Sequence, residues 1–286
     1  FMNTDNKELF MNLRTDFAFK RLFGTPQYSH LLLRLLNGIF QDNKKISRVE
    51  FKNKEVLPPD IDGKKMVYDV YFTTQDDEHF ILEMQNLYEP YFENRAILYT
   101  LKGLTEQVKR GGEYYLDPVY SIFFTNFDFT HIKKGISHNI GLIDRHTGEV
   151  FSELLNMRFI PMSTVKEFWE ECENDYDQII YLIKNMHKMD KNSKAYQSGE
   201  YDDFFKAAEL NNLVEEDFVA YSQSYAKMEE TERAMQFAVS ESYSNGFSKG
   251  ELVGIRKTAI NLKKMGLKPE TISQATGLTQ EEVSAL

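Results

Sequence analysis

The sequence predicts an α/β fold on a mixed sheet, followed by a helical C-terminal region. Three observations predict it. Residues 66–85, "MVYDVYFTTQDDEHFILEMQ", form two alternating apolar runs around the polar turn Gln75-Asp76-Asp77-Glu78. Strand-like runs and amphipathic helices then follow one another over the first half as helix–strand–strand–strand–helix–strand. From Ser163 onward the pattern is helical, acidic and rich in Tyr and Phe, without a clear strand.

The elements read as follows. "DFAFKRLFG" (16–24) and "YSHLLLRLLNGIF" (28–40) are helical, with Leu32, Leu35, Leu36 and Ile39 at helical spacing and Gly24 as a stop. "ISRVEFKNKEVLP" (46–58) is strand-like and is closed by Pro58-Pro59; "DIDGKK" is a turn. After the hairpin comes a helix on which Ile97, Leu101, Leu104 and Val108 share the face expected to be buried, ending at Gly111-Gly112. "DPVYSIFFTNF" (117–127) reads as a buried strand, with weaker strands at 138–144 and 149–161. Residues 190–200 read as a loop and 214–265 as one long helix containing Gly246, Gly250 and Gly254. The expected domains are 1–162, an acidic helical region at 163–245, and a helical tail at 246–286.

Composition bounds the function. A hydrophobic content of 42 % over 286 residues fills a packed core. The single cysteine, Cys172, excludes an intramolecular disulfide and a cysteine-based zinc site. No apolar stretch reaches membrane-spanning length, and residues 1–16 lack the order of a signal peptide, so a cytoplasmic protein with no membrane partner is expected. The net charge of −10 is unevenly spread: residues 166–233 hold 8 Lys/Arg against 17 Asp/Glu. Residues 1–60, at +3, and residues 234–286, at +1, are therefore left able to meet an anionic partner. No GxGxxG or P-loop is present, so no nucleotide cofactor is expected, and the six histidines form no H-x-x-x-H pair.

The hairpin carries the candidate chemistry. Pairing its strands about Asp76 sets Tyr68 opposite Met84, Val70 opposite Leu82 and Phe72 opposite Phe80 on one apolar side. The other side holds Val67, Asp69 and Tyr71 against Ile81, Glu83 and Gln85. Asp69 and Glu83 then stand about 5 Å apart at Cβ. Opposed carboxylates repel and lose hydration when covered, and a divalent cation removes both costs. The Met84 backbone carbonyl adds an oxygen and Gln85 a neutral amide that orients water. The alternative is a hydrated sheet face carrying two unremarkable carboxylates.

Asp, a hairpin and then Glu-x-Gln is the arrangement of a PD-(D/E)XK nuclease core in which Gln replaces the usual Lys. "TDFAFKRLFG" (15–24), "LLLRLLNGIF" (31–40), "VEFKNKEVLP" (49–58), "DGKKMVYDV" (62–70), "ILEMQ" (81–85) and "FENRAILYTLKGLTEQVKRGGEY" (92–114) follow in order. Together they resemble the recombination-promoting nuclease family, PD-(D/E)XK nuclease-family transposases, over residues 12–160. The resemblance implies a restriction-endonuclease-like core at 1–162, a DNA substrate and Mg²⁺ as cofactor, with Mn²⁺ as substitute. It makes Asp69 and Glu83 the metal ligands and puts Gln85 in the place of the catalytic Lys. Asp16 and Lys20 match family positions near the active face, and their i, i+4 spacing equally fits a plain helix-face ion pair. Glu50 and Glu55 have opposite strand parity, so at most one of them joins the metal face. Arg95, Tyr99 and Lys102 either face phosphate or form a solvated helix face. Because Gln85 carries no charge, either the metal or a cation such as Lys20, Arg95 or Lys102 has to supply it.

Residues 268–286, "KPETISQATGLTQEEVSAL", read as two short helices about Gly277 and resemble a helix-turn-helix, though Glu281 and Glu282 suit a helix N-terminus better than a phosphate. Two function classes stand. One is a metal-dependent DNA endonuclease linked to recombination or mobile elements. The other is a catalytically weak or inactive nuclease-fold protein acting as a DNA-binding or helical assembly module, with homo-oligomers formed through the C-terminal helices.

Overall fold

A computed structural model describes residues 8–41, 44–52, 67–108 and 115–286. The chain divides into two compact units, Phe1–Met228 and Glu229–Leu286.

The first unit is a mixed sheet with helices on both faces. Its strands are β1 (Val49–Phe51), β2 (Val70–Thr74), β3 (His79–Gln85), β4 (Val119–Thr125), β5 (His138–Ile143) and β6 (Val150–Pro161), in the order β1-β2-β3-β4-β6-β5. The β3–β4 and β4–β6 pairs are parallel and the others antiparallel. The hairpin has the register expected from its sequence: Val70 pairs with Leu82, Tyr71 with Ile81, Phe72 with Phe80. Only this register puts Val70, Phe72, Phe80 and Leu82 together in the main core.

Helices α1 (Asp16–Phe23), α2 (Ser29–Phe40), α4 (Asp175–Asn185) and α6 (Asp202–Ala208) contribute to that core through Phe19, Leu32, Ile180 and Phe204, all at most 2 % exposed. Thr15 caps α1 by accepting the Ala18 N–H. Helix α7 (Glu215–Lys264) ties α1 down near its own start: the Tyr221 hydroxyl accepts the Asn12 N–H at 2.9 Å and the Ser224 hydroxyl accepts the Phe17 N–H at 3.2 Å. These contacts fix the helix that carries Asp16 and Lys20.

Helix α3 (Phe92–Thr105) covers the other face of the sheet, and its buried side differs from the expected one. Ile97 and Leu101 are each 41 % exposed and Val108 is exposed as well, whereas Phe92, Ala96, Thr100 and Gly103 are buried. The buried Thr100 hydroxyl donates to Ser121 of β4 at 2.8 Å. Gly103 lies so close to β4 that an added Cβ would sit 3.0 Å from the Val119 side chain. Small and hydrogen-bonding residues let this helix approach the sheet closely; of the expected stripe Leu104 packs inward, and Ile97, Leu101 and Val108 are left outside.

A second difference concerns Tyr68. It is buried, but beside Tyr71, Ile81 and Val119 under α3 rather than with Met84 in the main core. The chain bends at Asp69, ahead of β2, so strand alternation does not extend back to Tyr68. Of the strand expected at 46–58, Val49–Phe51 is observed; residues 53–66, with Glu55 and the "DIDGKK" turn, lie outside the described residues, as does Gly111-Gly112. The loop expected at 190–200 contains a single helical turn, α5 (Lys194–Gln197).

In the second unit α8 (Pro269–Thr276) and α9 (Gln280–Ala285) join at Gly277, whose φ of +75° suits a residue without a Cβ. Ala259, Ile272, Leu278 and Val283 form its core. Thr279 and Glu282 make a reciprocal capping box, which accounts for the acidic start of α9.

Candidate active site

The site lies where the β2–β3 hairpin leaves the core. The Glu83 carboxylate accepts the Asp69 backbone N–H at 3.0 Å, and the Asp69 carboxylate accepts the Met84 backbone N–H at 3.0 Å. Each acid reaches across to the opposite strand. Burial pushes both carboxyl groups above the ordinary range, and Glu83 rises well above it because the Asp69 charge adds to the burial.

Two cations enter from opposite layers. From α1, the Lys20 ammonium lies 3.1 Å from Asp69 Oδ1 and also pairs with Asp16. Burial lowers the Lys20 pKa, but the two aspartates outweigh it and the net shift is upward. Lys20 is therefore more than half of a helix-face ion pair: it joins the helix to the hairpin acid. From α3, Arg95 Nη2 donates to Gln85 Oε1 at 2.7 Å while Nη1 meets Glu89 at 2.5 Å. The Gln85 amide in turn donates to the Leu87 carbonyl at 2.7 Å. Both Lys20 and Arg95 favour ionised Glu83. Gln85 is neutral, and a guanidinium is bonded directly to it.

The remaining expected residues divide. Tyr99 is half-buried, and its phenol is pushed up first by burial and then by the Glu83 charge, so it belongs to the same group. Lys102 acts instead on Glu106, one turn along α3. Glu50 is exposed on β1 and pairs with Lys52, away from the carboxylate pair. Sequence reasoning missed Glu89, which braces Arg95, and Asn86, whose amide donates to the Arg14 carbonyl at 2.8 Å and ties the end of β3 to the chain entering α1.

A family model described as "PD-(D/E)XK nuclease family transposase" matches residues 13–238. The chain belongs to this family. No curated protein and no solved structure matches it. The PD-(D/E)XK nuclease family transposases share the mixed sheet flanked by helices seen here, and their membership supports a nuclease or transposase-like activity on DNA. PD-(D/E)XK nucleases are generally dependent on a divalent metal.

The residues present fit such an ion. Among the described residues no group of three or more His, Cys, Asp or Glu side chains gathers. Among the described residues, the Asp69 and Glu83 carboxylates and the Met84 carbonyl would be the oxygens available to it. That suits an ion which takes one or two carboxylates and keeps much of its water, as Mg²⁺ does. The electrostatics agree: burial and mutual repulsion raise the pKa of both acids, and a divalent charge would remove that cost. No described helix is long and apolar enough to cross a membrane.

Proposed function

We propose that this PD-(D/E)XK family chain is a Mg²⁺-dependent DNA endonuclease, with Mn²⁺ as a substitute, which acts in recombination or in the movement of mobile elements. One observation carries the reading. Two largely buried carboxylates, each bonded across the hairpin, share their surroundings with a lysine from one helical layer and an arginine from the other.

An ion held by Asp69, Glu83 and the Met84 carbonyl supplies Lewis-acid charge and lowers the pKa of water. The chain's own residues do the rest. Asp69 and Glu83 sit on a rigid ribbon locked by their own backbone bonds, so they need little reorganisation on binding. Arg95, oriented by Gln85 and Glu89, brings positive charge for the phosphate oxygens in place of the missing lysine. Lys20 holds Asp69 ionised and directed at the site. Tyr99 walls it on the α3 side, and Asp16 keeps Lys20 in place.

Supercoiled plasmid tests the proposal. The protein nicks it with Mg²⁺, while Asp69→Ala and Glu83→Ala do not; equal nicking by both variants would refute the assignment. The neutral Gln85 amide, engaged at both ends, favours a second reading, in which the nuclease core binds DNA without cutting it. Retained binding with no nicking under Mg²⁺ or Mn²⁺ selects that reading.

The second unit fits self-association. Met235, Phe237, Val239 and Tyr243 on α7 are between 40 % and 76 % exposed. Light scattering of the whole chain, with Phe237→Ser and Tyr243→Ser as comparison, distinguishes a homo-oligomer from a monomer. The family's activity on DNA and the presence of a single cysteine, Cys172, fit a cytoplasmic location; targeting of a tagged copy to another compartment would count against it.

A further inference from the structure

The short link from β3 to α3 is bonded to the site at several points. The Leu87 carbonyl accepts the Gln85 amide at 2.7 Å, and the Glu89 carboxylate accepts Arg95 Nη1 at 2.5 Å. The Glu89 carbonyl also accepts the Phe92 N–H at 3.1 Å, which closes the turn Glu89-Pro90-Tyr91-Phe92. Tyr91 is the residue from which α3 starts, and its carbonyl accepts the Arg95 N–H at 3.0 Å. Tyr91 thus stands one helical turn ahead of the guanidinium assigned to phosphate.

Two features of Tyr91 cost stability without any return in packing. Its backbone is left-handed, with φ +66° and ψ +20°. With Pro90 before it, this is the pattern of a type II turn, whose third place ordinarily falls to Gly or Asn because a Cβ is crowded there. Its side chain is also 78 % exposed. The contrast with Tyr88 in the same link is direct: that ring packs edge-on against Phe127 at 5.3 Å, and its hydroxyl donates to Glu93 at 3.4 Å. Among the described residues no ring or hydrogen-bonding group meets the Tyr91 side chain. Neither burial nor backbone preference accounts for an aromatic residue here, and strain of this kind beside an active site points to a role in function. An open aromatic face next to an arginine matches one nucleotide of an unpaired strand, the cation taking phosphate and the ring taking the base. In an intact duplex the bases lie inside the stack, and such a ring has no face to meet.

We propose that Tyr91 stacks on an unpaired nucleobase of the DNA strand whose phosphate lies against Arg95. The preferred substrate is then DNA that is single-stranded, gapped or opened at the cut. The proposal rests on the nuclease reading and adds a substrate class to it. Stacking of this kind is tolerant of sequence, because every base offers a π-face.

The test measures binding of the full-length chain, in calcium, to fluorescein-labelled gapped and intact duplexes of the same sequence. Tyr91→Ala should bind the gapped duplex about tenfold more weakly and the intact duplex within about twofold of the parent, and Tyr91→Phe should match the parent on both. A control, Tyr115→Ala, removes an equally exposed ring that precedes β4, at the amino end of a strand parallel to β3 and so across the sheet from Tyr91. It should leave both affinities unchanged. A thymidine oligonucleotide interspersed with 2-aminopurine reports stacking itself: the parent and Tyr91→Phe should quench its fluorescence, and Tyr91→Ala should not. Tyr91→Gly removes the ring and the crowded Cβ together, so it should raise the thermal midpoint while losing the gapped duplex as Tyr91→Ala does. Equal losses on the two duplexes, an equal loss in the control, or a lowered midpoint for Tyr91→Gly overturns the stacking role and leaves the nuclease reading standing. A parent chain that neither binds DNA nor nicks plasmid overturns the nuclease reading, and this inference with it.

Discussion

Asp69 and Glu83 clasp each other's strands: the Glu83 carboxylate takes the Asp69 N–H and the Asp69 carboxylate takes the Met84 N–H, both at 3.0 Å. The acids are thereby aimed by backbone. Asp69→Asn and Glu83→Gln keep the shape but remove charge. Each should lower nicking by at least about a hundredfold. Neither should lower the thermal midpoint measured without divalent ions, because each relieves the crowding of two buried acids. A lowered midpoint would show that the ionised pair stabilises the fold.

Gln85 and Arg95 should behave as a unit. Gln85→Lys restores the residue usual in the superfamily but sets an ammonium against the guanidinium now bonded at 2.7 Å. Activity should therefore fall rather than rise. Arg95→Met should also lose activity, and Gln85→Lys/Arg95→Met should recover part of it. A double-mutant cycle reads the coupling, and additive losses would show that the two side chains act independently.

Lys20→Met leaves Asp69 buried without its nearest cation. The variant should be destabilised by about 3 kcal/mol in chemical denaturation without divalent ions, since removing one partner strands the other charge. Added Mg²⁺ should restore more stability to this variant than to the parent. Equal gains would argue that the ion and the lysine do not share Asp69.

Metal exchange gives a separate readout. EDTA should abolish nicking, and Mn²⁺ should restore it. Calcium should occupy the site, raising the thermal midpoint, without supporting efficient turnover. Full activity in calcium would count against the proposed chemistry, because Ca²⁺ is larger and its coordination looser than that of Mg²⁺.

His187 provides a pH prediction. Burial, with Arg14 and Lys188, lowers its pKa from 6.5 to about 4, so folding favours the neutral ring. Its contribution to stability is complete above pH 6.5 and is lost as the pH falls toward 4, by up to about 3 kcal/mol. His187→Gln should flatten the difference in stability between pH 7 and pH 4 relative to the parent. Parallel pH profiles for the two proteins would refute this.

The hairpin was legible because two apolar runs of opposite direction admit only one register that buries both, and that register carries Asp69 and Glu83 with it. Helix α3 was misjudged for the converse reason. Of its large aliphatics only Leu104 packs inward among the four expected, and the close contact with the sheet is made by Ala96, Thr100 and Gly103, whose value lies in small size and one buried hydroxyl, with Phe92 beside them. Hydropathy does not register close approach. Tyr68 was misplaced because alternation was extended through the bend at Asp69. The Arg95–Gln85 bond depends on a tertiary contact across 10 residues, and no local pattern announces it.

The bare Gly103 sets the height at which α3 rides over β4. Arg95 projects from the same rigid rod two turns away. One methyl group at position 103 would press on the Val119 side chain at 3.0 Å and ask the contact to give by a few tenths of an ångström, so the spacing beneath Arg95 is calibrated from below, by the absence of an atom.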